Sequence, residues 1–130
     1  MRTRTRLHFF FPELAEKYGF CEAVIFNHLL YWITHNSMKN KNFHDGRYWT
    51  FNSVRELAKQ FHYFSESQVG RYLRSLISQG VIIVGNYNRH SYDRTRWYAL
   101  NDQDYFLKNY HPFDKFKECK DLFKDDNTSC

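Results

Sequence analysis

Cysteine is scarce, with three in 130 residues. Cys21, Cys119 and Cys130 are odd in number and widely spaced, which suits neither a disulfide framework nor a zinc ribbon, both built from paired thiolates. A reducing cytoplasm is the compartment this usage implies. Long apolar runs are missing too: the basic N-terminus leads into Phe9 to Pro12, shorter than a signal-peptide core and far shorter than a membrane span. No Gly-rich phosphate loop, Gly-x-Ser-x-Gly turn, His-Glu-x-x-His helix or paired-carboxylate pattern occurs. An enzyme is therefore not expected, nor a cofactor. The seven histidines give no metal signature, because His28 and His35 stand two helical turns apart with no carboxylate usefully spaced between them. Internal repeats and low-complexity segments are absent.

Aromatic residues make up 20% of the chain, ample apolar surface to offset the chain entropy lost on folding. The length fits one domain with one core. Charge is unevenly placed: residues 1 to 46 carry six basic and four acidic groups, residues 47 to 96 eight and three, and residues 97 to 130 five and seven. The centre is thus +5, while the first segment is +2 and the last −2. A field of that shape attracts polyanions, although a basic surface also serves plain solubility.

Pro12 is suited to open a helix that runs through Tyr18 and closes at Gly19. From Cys21 to about His35, Ile25, Leu29, Trp32 and Ile33 share one helical face that Val24, Phe26, Leu30 and Tyr31 widen. So broad an apolar surface predicts either a central core helix or one that also buries a homodimer contact. Asn36 to Asn42 reads as an exposed loop, Asp45-Gly46 as a turn, and Arg47 to Phe51 as a short strand. Ser53-Val54-Arg55-Glu56 has the pattern of a capping box, opening a helix to Phe61 or His62. Ser65-Glu66-Ser67-Gln68 repeats it, opening a helix to Gln79 that Gly80 terminates. Val81 to Val84 and Trp97 to Leu100 read as a hairpin with a long polar tip. A further short helix is expected around Tyr105 and Leu107. Beyond Pro112 charges and aromatics mix without a clear period, and residues 125 to 130 read as disordered.

The order helix, helix, strand, helix, tight turn, helix, hairpin predicts an α+β, mainly α fold: a winged helix-turn-helix with a β-hairpin wing and a short extra strand. Residues 1–11 form a basic arm, 12–101 the domain and 102–130 an extension. On the helix after Ser65, the face opposite the Val69, Tyr72, Leu73, Leu76 and Ile77 stripe is small, hydrogen-bonding or cationic. There Gln68 suits adenine and Arg71 guanine, Ser67 and Ser75 bases or phosphates, Gly70 close approach and Arg74 a phosphate, and Ser65 at the helix start is counted with them as a DNA contact. On the wing, Arg89, His90, Tyr92, Arg94 and Arg96 face a backbone or minor groove. Ser53, Arg55 and Arg47 are weaker supporting contacts, His62 lies near the link between the two helices, and Arg2, Arg4 and Arg6 suit a minor-groove arm. The ordinary alternative for each of these groups is a solvated surface.

Four stretches carry a resemblance: Glu22-Ala23-Val24-Ile25 with Leu29 and Tyr31-Trp32-Ile33; Asp45-Gly46 with Trp49; Ser65-Glu66 with Val69, Leu73, Leu76 and Gly80; and Gly85-Asn86-Tyr87-Asn88 with Asp93-Arg94-Thr95 and Trp97-Tyr98. Across about residues 12 to 101 the chain resembles the N-terminal winged-helix domains of phage and plasmid replication proteins, of the replisome-organiser or replication-initiator type. The first and third stretches are generic to winged helices, whereas the last is more specific. The resemblance implies recognition of an origin or repeat in double-stranded DNA, inside a bacterial cell or a phage-infected host. Replication proteins would be recruited by parts outside this domain. Members usually continue into a further domain, and here about thirty residues follow. Two alternatives stay open: a stand-alone dimeric transcriptional regulator, and a winged helix that docks proteins rather than DNA.

Overall fold

A computed structural model describes residues 8–110, so the arginine arm at residues 2 to 6 and the tail from residue 111 lie outside the described residues. Helix α1 (Pro12–Tyr18) begins with its proline where a helix has no use for an N–H. It ends at Gly19, whose φ of 115° lies where a side chain is strained. That one residue separates α1 from α2 (Phe20–Lys39).

Helix α2 is the centre of the molecule and buries Ala23 to Asn27, Leu29, Leu30, Trp32, Ile33 and Asn36. It runs four residues past the expected end. The reason is Asn36, whose amide is buried and donates to the Trp49 carbonyl at 2.8 Å, so a stretch that reads as polar loop is helix held by a tertiary bond. The helix then stops at Asn40 in the left-handed region.

Strands β1 (Phe43–His44) and β2 (Arg47–Tyr48) pair antiparallel around Asp45-Gly46. Both turn residues have positive φ, 52° and 78°, as a tight two-residue hairpin turn requires. The single strand expected from Arg47 to Phe51 is broken at Trp49. Its N–H bonds to the Asn42 carbonyl and its indole N–H to the His44 carbonyl, which turns the chain from one sheet into another. Strand β3 (Thr50–Asn52) accordingly pairs with β5 (Arg96–Leu100), which also pairs with β4 (Ile82–Gly85), giving a three-stranded antiparallel sheet in the order β3-β5-β4.

Alternation along the sheet sends Ile82, Tyr98 and Leu100 into the main core with Leu29, Ile33, Leu57, Phe61, Leu73 and Leu76. Trp97, Ala99, Ile83 and Phe51 go to the other face, where Trp49 and Tyr87 cover them. Helix α3 (Val54–Ala58) is shorter than the expected run to Phe61. Past Ala58 the bonds Gln60 N–H to Leu57 and Phe61 N–H to Ala58 reach three residues back, the tighter winding of a helix that is ending. Phe61 is buried at the end of this turn and pins the connection to α4 (Glu66–Ser78). The last described element, α5 (Gln103–Asn109), buries Phe106 against Phe26 with ring centres 5.0 Å apart. The molecule is thus α+β and about half helical, with small antiparallel sheets.

Candidate nucleic-acid interface

Helix α4 is sharply two-sided. Val69, Leu73 and Leu76 are buried, while Ser67, Arg71, Arg74 and Ser78 are exposed on the opposite ridge. Ser65 caps it by accepting from the Gln68 N–H at 3.1 Å, and Gln68 Oε1 returns a bond to the Ser65 N–H at 2.8 Å, the full capping box.

One flank of α4 borders an open cleft of about 420 Å³ lined by Val54, Glu66, Ser67, Gly70, Arg74 and Arg96. The fold therefore brings two cations from distant parts of the sequence, one on α4 and one at the root of the hairpin, to the same cleft as a serine and a glycine. The Arg74 guanidinium leans over Gly70: a methyl group there would lie 3.5 Å from Nη1 of Arg74 and 3.8 Å from Cγ1 of Val54. Arg96 shares its strand face with buried Tyr98, two residues along. Burial pushes the Tyr98 phenol up from its ordinary value, and the Arg96 cation opposes part of that rise. Glu66 is the acidic group in this cleft.

Other expected contacts are placed differently. Ser75 is half-buried on the far flank, where its hydroxyl accepts from Gln79, whose side chain also donates to the Tyr18 carbonyl; it does not join the cleft. Gln68 lies toward that flank too, and the oxygen needed for a two-pronged adenine contact is taken by the cap. Arg71 is exposed and folds its guanidinium along its neighbour, 5.3 Å from the Tyr72 ring centre. Arg47 is a structural strap: its Nε donates to the Leu100 carbonyl and Nη2 to the Asn101 carbonyl, each at 3.0 Å. Those acceptors sit at the opposite end of β5 from Arg96. Ser53 is the α3 cap, accepting from the Glu56 N–H at 3.1 Å. Arg55 and His62 are exposed.

The hairpin tip between β4 and β5 is organised by its own side chains. Asn88 spans it, donating to the Asp93 and Thr95 carbonyls at 3.1 and 2.7 Å and accepting from the Trp97 indole at 2.7 Å. Asp93 accepts from the Thr95 N–H at 3.0 Å, a bond that holds its carboxyl below the usual carboxylate range. At the root, Gly85 leaves no room for a side chain: a Cβ would stand 2.8 Å from the Trp49 ring. Tyr87 stacks on His44, ring centres 4.4 Å apart, and bonds to the Asp45 carboxylate. The spaced Gly-Asn-Tyr-Asn and Asp-Arg-Thr-x-Trp-Tyr pattern is therefore the framework of the tip, which leaves Arg89, His90, Tyr92 and Arg94 exposed beyond it. Asn88 is the position whose importance residue chemistry alone did not reveal, since a lone asparagine in a polar loop carries no signal of a hub.

Among the described residues no group of three or more His, Cys, Asp or Glu side chains is placed to hold a metal ion, and no helix is long and apolar enough to cross a membrane. Comparison with protein-family models, curated proteins and solved structures returned no match to this chain.

Proposed function

We propose that the chain is a winged helix-turn-helix protein that binds double-stranded DNA. Helix α4 is the element entering the major groove, and the β4–β5 tip is a wing against the neighbouring backbone. The observation that carries this reading is the open cleft that Arg74 and Arg96 line together with Ser67, Gly70 and one carboxylate, Glu66. Cations that far apart in sequence meet phosphates, hydroxyls meet base edges or phosphates, and a side-chain-free position lets backbone approach DNA closely. The organised tip adds Arg89 and Arg94, so at least four cations lie on the two elements.

A salt titration of binding to duplex DNA tests this. Four neutralised phosphates give a log-log slope of about −3.6, whereas flat binding refutes the reading and favours a protein-docking surface. The role in phage or plasmid replication rests on the resemblance alone and is tested by selecting bound sequences from a random duplex pool. Tandem direct repeats support an initiator, and an inverted repeat assigns a dimeric regulator instead.

A further inference from the structure

We propose that the apex of the β4–β5 hairpin is a stacking platform for an unpaired nucleobase, with Tyr92 outermost and His90 behind it. The inference rests on the DNA-binding reading and extends it from intact duplex to opened DNA.

Two rings at positions 90 and 92 belong to one tight turn, closed by the Asp93 N–H donating to the His90 carbonyl at 3.1 Å. They lie nearly parallel, 15° apart in plane with centres 5.1 Å apart. Tyr92 is 78% exposed, so its ring offers open surface to solvent.

A lone exposed tyrosine needs no explanation. Here the ring is backed by a second aromatic, on a turn whose flanks are fixed by the Asn88 and Asp93 bonds. Such a pair is already arranged before any ligand arrives, and a preorganised surface loses little freedom on binding.

The flanking charge selects the partner. Arg89 and Arg94, both exposed, flank the two ring residues along the chain, while the one carboxylate of the turn, Asp93, is turned onto the Thr95 N–H. Flat rings among cations fit a flat heterocycle on a polyanion, which is a base on its phosphate backbone. In an intact duplex both faces of an internal base are covered by its neighbours. A partner face becomes available where a base is extruded or unpaired, as at a bulge, a gap or an opened stretch.

The test compares the full chain on a duplex and on the same duplex carrying a short bulge that contains 2-aminopurine, whose fluorescence is quenched on stacking. The expected results are tighter binding to the bulged DNA with quenching, and roughly a ten-fold loss of that preference in Tyr92→Ala. Tyr92→Ala should lose more affinity for the bulged DNA than for the intact duplex, and Tyr92→Phe should retain the preference. Equal wild-type binding to both DNAs without quenching overturns the proposal while leaving duplex binding standing. An equal loss on both DNAs in Tyr92→Ala also overturns it, by making Tyr92 a groove contact. Absence of salt-dependent binding to either DNA removes the underlying reading as well.

Discussion

Replacing Gly70 by alanine should make the protein more stable and a poorer DNA binder. Gly70 sits inside α4, where glycine costs about 0.5–1 kcal/mol relative to alanine because it leaves more freedom to the unfolded chain. A methyl group has room: its nearest neighbours would be Arg74 Nη1 at 3.5 Å and Val54 Cγ1 at 3.8 Å, ordinary contacts that displace nothing. The free protein should therefore gain about 0.5–1 kcal/mol, a rise in Tm of roughly 2–6 °C for a domain of this size. If DNA seats in this cleft, the same methyl stands in the floor that Gly70 contributes beside Arg74. Forcing an extra carbon into a closed contact costs about 1–3 kcal/mol, and affinity should fall by roughly 5- to 150-fold. Thermal unfolding by circular dichroism and fluorescence anisotropy on a selected duplex measure the two effects on one sample. Unchanged affinity in a stabilised variant would remove the cleft floor from the interface, and a destabilised variant would refute the packing argument itself.

Arg74→Ala and Arg96→Ala should each make the salt slope shallower by about 0.9 and weaken binding to all sequences alike; a loss confined to the preferred site would instead assign them to bases. Gln68→Glu keeps an acceptor for the Ser65 N–H and so the cap, while removing the amide N–H donors. With that oxygen engaged in the cap, Tm should stay unchanged and the added negative charge should weaken binding to every sequence alike, whereas a loss confined to sites containing adenine would show that the amide contacts a base. Asn88→Ala leaves the Trp97 indole N–H without its partner and frees both sides of the tip. It should cost about 1–3 kcal/mol and speed amide exchange across residues 86 to 95, and unchanged exchange would show that backbone alone holds the loop. His28 is pushed down to about 4 by burial, with His8 adding to the shift. Its neutral form is favoured in the folded state, so this contribution is complete above pH 6.5 and is lost as pH falls toward 4, at most about 3 kcal/mol. Urea unfolding across that range should show a weaker pH dependence in His28→Phe, and identical curves would mean that His28 does not contribute.

Helix positions were legible wherever the cause is local. Pro12 and Gly19 bound α1, the Ser65 and Gln68 pair opens α4, and the 3.6-residue spacing of Val69, Leu73 and Leu76 fixes which side of α4 faces inward. The Asp45-Gly46 turn follows from two residues that tolerate positive φ. Where elements end was less legible, because distant partners decide it. Asn36 prolongs α2 by bonding to Trp49, and Trp49 divides an apparent strand between two sheets.

Of the candidate site, the sequence by itself determined which chemistry is available: a capped helix with serine, glycine and arginine on its polar side, and a cationic loop. Tertiary structure decided which of those residues meet. It brought Arg96 to the face of Arg74, withdrew Arg47 to the Leu100 carbonyl, turned Ser75 toward α1 and made Asn88 the hub of the tip. The physical reason is one of range. Caps, turns and helical periodicity are set by neighbours within a few residues along the chain. The direction of a long polar side chain is set by whichever carbonyl or ring the packed fold carries within hydrogen-bonding reach.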